Sequence, residues 1–224
     1  MIYFFADDHF GKHCGRNIFE TLPAELGKIT VFYENQVDKL ENSNWPDDCE
    51  LLILHMIGNT CGQNHPGPDA EIKVKNYLVQ GGNMLLLHGS SAAFWQWDWW
   101  RKLPGFRWVR PGDPDNVASS VHPVKPYSLR LCKARHPLMR FLSSIQVPAD
   151  EIYTQLEQVA PAMILMDTVV AGEVFPQCWE TITPWGGKIL NFLPGHAPEV
   201  ILSGIFKECI TEQIKYLLER DFSR

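Results

Sequence analysis

Histidines stand at the ends of several apolar runs in this chain, and they are the first residues whose spacing could do chemistry. Four of the eight histidines fall at or just after the carboxyl end of such a run: His9, His55, His88 and His196. In an open parallel sheet, ligands bind in the crevice outside the carboxyl ends of the strands. If the runs are neighbouring parallel strands, the four imidazoles meet at one edge of the sheet; if the loops are unrelated, the imidazoles are scattered.

Carboxylates accompany these histidines. Asp7 and Asp8 precede His9, and Glu199 follows His196 closely. Imidazoles and carboxylates in one crevice act as general acids and bases near neutral pH, or they bind a divalent metal such as zinc. The spacing matches no zinc-protease signature, so both kinds of chemistry stay open.

The run LLLHGSSAAFWQWDWW, residues 85–100, joins one of these histidines to a dense group of aromatic rings. Its apolar start predicts a buried strand over residues 84–88, and the remainder favours a helix over residues 91–103. On that helix Trp97 would offer a flat ring on which the C–H face of a sugar stacks. Packing in the core, or a contact between two copies of the chain in a homo-oligomer, would use the same rings.

Short apolar runs alternate with helical patterns along the chain, which is typical of an α/β fold. Strands are predicted over residues 2–5, 29–33, 51–55, 84–88, 127–131, 151–156, 162–166, 178–183 and 189–193. Helices are predicted over residues 17–26 with Asn17 as the N-cap, 70–80, 91–103 and 199–220. The first half should form a parallel sheet, and alternation in the second half predicts some antiparallel strands. Without a linker or repeat, the sequence predicts one domain, residues 1–224.

Composition and charge narrow the class of protein. The 224 residues are 45% hydrophobic, which is enough for one sizeable core. The formal net charge of −6, without a block of lysines and arginines, argues against nucleic acid or an anionic membrane as a partner. The N-terminus lacks the basic segment of a signal peptide, and no apolar stretch reaches the ~20 residues that span a bilayer. Six scattered cysteines predict neither disulfides nor a cysteine zinc site, which favours a cytoplasmic protein.

Motifs along nearly the whole chain resemble those of the ThuA-like (trehalose utilisation) family, a branch of the class I glutamine amidotransferase-like superfamily. In chain order the motifs are NMLLLHGSS (83–91), GFRW (105–108), HPLMRFL (136–142), DEIY (150–153), GEVF (172–175) and GGKILNFLPGH (186–196). No single motif is diagnostic, but their order and spacing together are specific. The resemblance implies a flavodoxin-like three-layer sandwich with helices on both faces of the sheet, and a link to carbohydrate metabolism.

Comparison with that superfamily argues against glutaminase activity. Glutamine amidotransferases carry a cysteine nucleophile on a tight strand-to-helix turn, and the matching position here is His88. His196 stands where the partner histidine would be. Without the thiol there is no acyl-enzyme route through this position, and neither Ser90 nor Ser91 has the Gly-x-Ser-x-Gly setting of a nucleophile elbow. We expect the His88 ring to be partly exposed to a cleft.

Two functions from different classes follow. The first is a carbohydrate-processing enzyme, a hydrolase, lyase or isomerase acting on a glycoside or an oxidised sugar, with His88, His196 and Glu151 as catalytic groups. Glu151 is included because it lies in the DEIY motif, and the same three residues would be the ligands of a divalent metal, if one is bound. The predicted substrate-binding residues are Asp8, His9, His55, Trp97 and Tyr153. The alternative is a non-catalytic sugar-binding or assembly subunit on a relic amidotransferase scaffold.

Overall fold

Nine strands form one large sheet whose first half is parallel. A computed structural model describes residues 1–219. Within them the strands are β1 (Ile2–Ala6), β2 (Thr30–Glu34), β3 (Leu51–His55), β4 (Asn83–Leu87), β5 (Phe106–Arg107), β6 (Val124–Leu131), β7 (Ile145–Glu151), β8 (Glu157–Gln158), β9 (Met163–Val170), β10 (Glu173–Ile182) and β11 (Lys188–Phe192). Nine of these strands form the sheet, in the order β2-β1-β3-β4-β11-β10-β9-β6-β7, and β5 pairs with β8 separately.

The direction of the strands changes at β11. Strands β2, β1, β3, β4 and β11 are mutually parallel. Strands β10, β9, β6 and β7 continue the sheet by antiparallel pairing. The predicted α/β class is therefore confirmed, with a parallel first half and antiparallel strands in the C-terminal half.

Helices pack on both faces of the sheet. They are α1 (Cys14–Glu20), α2 (Ala24–Gly27), α3 (Lys39–Asn42), α4 (Pro68–Val79), α5 (Pro198–Ile201) and α6 (Gly204–Leu217). Because successive side chains of a strand point to opposite faces, β1 sends Phe4 into the core under α1, α5 and α6, and Phe5 into the core under α3 and α4. The two cores give the three-layer sandwich that the family resemblance implied.

Two predicted helices are divided in the structure. Helix α1 begins at Cys14, so Asn17 lies inside it, and the chain enters α2 only after Pro23. A proline disfavours helical backbone in the residue before it, which separates the two segments. At the C-terminus, the extended backbone of Ser203 divides the predicted helix into α5 and α6. The predicted end of that helix, residue 220, lies outside the described residues.

The predicted strand over residues 151–156 is wrong. Strand β7 instead covers Ile145–Glu151 and ends where the prediction began. It contains Pro148, which cannot donate to a ladder and therefore weakened the strand pattern. Because β7 has only β6 as a neighbour in the sheet order, this edge position tolerates the proline.

The predicted aromatic helix over residues 91–103 is also wrong. The chain forms a 3-10 turn over His88–Ala92 and a second over Trp100–Lys102. Between them Phe94 has a positive φ of 55°, a left-handed conformation that an α-helix does not accept. Stacking of Phe94 on Trp97, with ring centroids 4.1 Å apart, stabilises this irregular segment in place of helical hydrogen bonds.

Helix α1 approaches the sheet closely at Gly15, and this contact is testable. A Cβ atom at position 15 would lie 2.4 Å from the Cβ of Ala6. We expect Gly15→Ala to lower the free energy of unfolding by about 1–3 kcal/mol, because α1 must move away from β1. Urea unfolding measures the change. Gly27→Ala is the control, since a Cβ there meets nothing within 4 Å; equal stability of the two variants would contradict the prediction.

Candidate active site

The four histidines that follow apolar runs meet at one edge of the sheet. His9 follows β1, His55 ends β3, His88 follows β4 and His196 follows β11. The ring centroid of His9 lies 4.7 Å from the ring centroid of His88, 4.8 Å from that of His196 and 5.4 Å from that of His55. Because these four strands are parallel, their carboxyl ends carry the rings to the same place. The placement predicted from the sequence is therefore observed.

His88 lies at a sharp turn between β4 and the 3-10 turn that follows. Its φ of 50° is left-handed, which is uncommon for a residue other than glycine. Its Nδ1 lies 2.9 Å from the carbonyl oxygen of Leu193, so Nε2 faces the opposite way, 3.3 Å from the Tyr153 hydroxyl. The ring is only 1% exposed, so the expectation of a partly exposed histidine is wrong, although the ring lines a cavity.

Glu151 joins the antiparallel half of the sheet to the histidine cluster. Its Oε2 lies 3.5 Å from His88 Nε2, and its Oε1 lies 3.3 Å from His196 Nδ1. Oε1 also lies 3.2 Å from Nδ1 of His122, whose side chain is half exposed. The structure thus brings together the three residues predicted as catalytic, around one carboxylate.

His122 was missed by the sequence reasoning because it lies in a stretch without a strand or helix pattern. It precedes Pro123 and β6, and an isolated bridge between Val121 and Thr154 holds this segment beside Tyr153. The only available signal was a histidine next to a proline at the start of a strand. That signal does not indicate which edge of the sheet the ring faces.

Two buried carboxylates hold the histidine loops in position. Asp7 accepts hydrogen bonds from the backbone N–H groups of His9 and Ile57, both at 3.0 Å. Asp150 accepts from the N–H groups of Gly195 and Ala197, at 2.8 and 3.1 Å, on either side of His196. Charge-assisted bonds of this kind fix a loop firmly. Asp7 and Asp150 therefore position the rings rather than face a ligand.

A cavity of about 190 Å³ opens beside the cluster. Its polar lining comes from His9, His88, His122, Glu151, Tyr153 and His196. Trp108 supplies an apolar wall, with its ring centroid 4.7 Å from that of Tyr153. The cavity is smaller than the ~300 Å³ at which drug-sized ligand pockets begin, so it suits a small polar molecule.

Three of the predicted substrate-binding residues do not line this cavity. Trp97 is 4% exposed and packs in the core under α4, which corrects the expectation that it faces a sugar; Trp108 takes that place at the cavity wall. Asp8 accepts a hydrogen bond from the side chain of Asn35, outside the lining residues. His55 is 2% exposed, and its ring packs against that of His9. His9 and Tyr153 do line the cavity.

Burial sets the protonation of the cluster. It lowers the pKa of His9 to about 2 and that of His196 to about 4, and it holds the pKa of His88 well below its usual value. Burial also raises the pKa of Glu151 above its usual value. The three imidazoles are therefore neutral at pH 7, and each presents one nitrogen lone pair.

Cys14 is a cysteine beside the histidine cluster, and its Sγ lies 3.5 Å from the carbonyl oxygen of His196. Burial raises the pKa of Cys14 to about 12, so the reactive thiolate does not form at neutral pH. Its contact with a carbonyl rather than an imidazole gives it no base. Cys14 is therefore not an activated nucleophile.

Comparisons with known proteins identify the family and agree with the fold. The model of the ThuA family, described as trehalose utilisation, matches residues 8–217. A ThuA-like protein from Parabacteroides merdae has a TM-score of 0.75 at 12% identity, with 100% of this chain and 91% of that chain covered. A ThuA-like protein from Bacteroides uniformis has a TM-score of 0.67 at 14% identity, with 99% and 92% covered.

A cytoplasmic protein from Salmonella typhimurium has a TM-score of 0.57 at 12% identity, with 96% of this chain and 98% of that chain covered. Comparison with curated protein sequences gives no match. Because the family model covers nearly the whole sequence, the chain belongs to the ThuA family. None of the helices within residues 1–219 has the length and apolar character needed to cross a bilayer.

Proposed function

We propose that this chain is a carbohydrate-processing enzyme that works by proton transfer on a small sugar-derived substrate. The observation that carries the proposal is the Glu151 carboxylate, which lies within 3.5 Å of nitrogen atoms of His88, His122 and His196 at the wall of one cavity. A buried carboxylate beside imidazoles can take a proton from one substrate atom and return it to another. The trehalose-utilisation family supports a sugar as the substrate.

The number of carboxylates favours some reactions over others. Among the described residues that line the cavity, Glu151 is the one carboxylate. Most glycoside hydrolases use a pair of carboxylates that face the scissile bond, and Asp7 and Asp150 are instead occupied by backbone N–H groups. A single base suits removal of a proton next to a carbonyl group. Of the three reaction types open from the sequence, the site therefore favours a lyase or isomerase acting on an oxidised sugar over direct hydrolysis of a glycoside.

Substrate contacts would come from both walls of the cavity. The Trp108 ring supports stacking of a sugar face, and the Tyr153 hydroxyl, His9 and His122 offer hydrogen bonds to sugar hydroxyls. Asp8 and His55 would act through the loops that carry His9. The cytoplasm is the proposed compartment, as for the Salmonella protein of similar fold.

A panel of trehalose, its keto derivatives and the matching monosaccharides tests this proposal. We expect at least one oxidised sugar to raise the melting temperature and to be converted, with the product followed by NMR. At a hundred times its dissociation constant a ligand adds ~2.7 kcal/mol to stability, which a thermal scan detects. Stabilisation without conversion would favour the alternative, a non-catalytic sugar-binding subunit. No effect from any member of the panel would contradict a sugar ligand.

A further inference from the structure

Three imidazole nitrogens meet at the inner end of the cavity. One nitrogen each from His9, His88 and His196 lies within 4.8 Å of the other two. The closest pair is His9 Nε2 and His196 Nδ1, 2.9 Å apart. His88 contributes Nε2, because its Nδ1 is held by the Leu193 carbonyl. Three neutral imidazoles on separate loops form the donor set that borderline divalent metals prefer.

One of the distances between these nitrogen atoms is close to that in a coordination sphere, and the others are no longer than 4.8 Å. Zinc lies 2.0–2.1 Å from imidazole nitrogen, so two ligand atoms of a tetrahedral site are about 3.3 Å apart. The 2.9 Å between His9 and His196 would need to widen by only about 0.4 Å. Glu151 oxygens lie 3.3 Å from His196 Nδ1 and 3.5 Å from His88 Nε2, close to the same spacing.

The structure assigns to His9, His88 and His196 a site for one divalent transition metal, with a fourth position open toward the cavity beside Glu151. Metal-binding histidines usually have a hydrogen bond on the other ring nitrogen, as His88 has with Leu193.

A fourth imidazole adds an independent observation. His55 is 2% exposed, and its Nε2 has no hydrogen-bond partner among the described residues. With Asp7 and His9 it forms a second group whose ligand atoms lie within 4.8 Å of one another. A buried nitrogen without a partner is costly, and a cation close by would offset that cost. The structure thus holds four imidazoles together, with one hydrogen bond between His9 Nε2 and His196 Nδ1.

Ligand type selects the metal class. Nitrogen donors with one carboxylate nearby suit Zn²⁺, Co²⁺ or Ni²⁺, whereas Mg²⁺ and Ca²⁺ prefer oxygen ligands. A metal here would hold the carbonyl oxygen of an oxidised sugar at the open position, within reach of Glu151. Metal binding itself rests only on the histidines, while this role in catalysis rests on the proposed function.

The test uses full-length, tag-free protein stripped with a chelator and titrated with Zn²⁺ by calorimetry, in the absence of sugar. We expect one ion per chain and a raised melting temperature. Co²⁺ should give the visible absorption of a four-coordinate site. His9→Gln and His196→Gln should each weaken Zn²⁺ binding by about 100-fold or more, since even residues that only orient metal ligands give 10–100-fold losses.

Two further variants locate the site. His136→Gln removes a buried histidine that pairs with Glu180 away from the cavity, and it should bind Zn²⁺ like the parent. His122→Gln should do the same, because His122 contacts Glu151 but not the metal-binding group. Circular dichroism shows whether each variant folds. The Co²⁺ spectrum of the parent protein tests the site even if a variant fails to fold.

Absence of stoichiometric Zn²⁺ or Co²⁺ binding by the parent would overturn the proposal. Equal losses in His122→Gln and His196→Gln would also overturn it, because the ion would then lie on the wrong side of Glu151. Bound metal without turnover of any sugar would support this site and reject the proposed function. Turnover by metal-free protein would support the proposed function and reject a role of the metal in it, while the site itself would stand or fall on the Zn²⁺ titration.

Discussion

Arg107→Met should lower the free energy of unfolding by about 3–5 kcal/mol, the cost of removing one partner from a buried ion pair. Arg107 is 3% exposed and donates two hydrogen bonds to Asp113, at 2.7 and 3.1 Å. Its Nε donates a third, at 2.6 Å, to Glu157 of β8. Methionine keeps the apolar stem but leaves the Asp113 carboxylate, itself 2% exposed, without a cation. Urea unfolding at neutral pH measures the loss.

Arg130→Met is the matched control. Arg130 pairs with one aspartate, Asp167, and its side chain is 46% exposed. Water solvates both charges after the change, so the expected loss is below about 1 kcal/mol. In the double variant R107M/D113N, the loss of unfolding free energy should be smaller than the sum of the losses in R107M and D113N alone. The reason is that D113N removes the carboxylate charge that R107M leaves unpaired. Similar losses for the two arginine variants would show that the Arg107 network contributes no more than a surface pair.

The same network bears on the cavity. Arg107 ends β5, and the next residue, Trp108, forms the apolar wall. Strand β5 pairs only with the short β8, so its position depends on the ion pairs to Asp113 and Glu157. A variant that weakens the network should therefore loosen ligand binding as well as the fold.

The parallel half of the site could be predicted from the sequence because the position of each histidine follows from the end of its own strand. A short apolar run that ends in a histidine needs only one assumption, that the runs are parallel neighbours, to bring His9, His55, His88 and His196 together. The fold obeys that assumption, and the rings meet. Alternation of runs and helices was sufficient for this part of the structure.

The antiparallel half could not be predicted in the same way. Strand β7 carries a proline that hides its pattern, and His122 lies in an irregular segment that only tertiary pairing brings to Glu151. Trp97 was predicted to stack on a sugar from a helix over residues 91–103, but that helix does not form and the ring packs on Phe94. Side-chain packing determined these positions, and no short sequence pattern encodes it.

Glu151→Gln should lower kcat by about 10²–10⁴-fold on the sugar that the panel identifies, because glutamine cannot accept the proton that the carboxylate takes. The amide keeps the shape of the side chain and can still hydrogen-bond to His88 and His196, so the melting temperature and KM should change little. Steady-state kinetics and deuterium uptake from D₂O both report the loss.

Glu180→Gln is the control for that result. Glu180 is also a buried glutamate that lies near an imidazole, His136, and it accepts a hydrogen bond from Tyr216, but it does not line the cavity. Its amide variant should keep the parental kcat, because the loss follows from the position of the carboxylate and not from burial alone. If Glu151→Gln retained the parental kcat and deuterium uptake, Glu151 would not be the base, and the carboxylate would serve only to orient the three imidazoles around it.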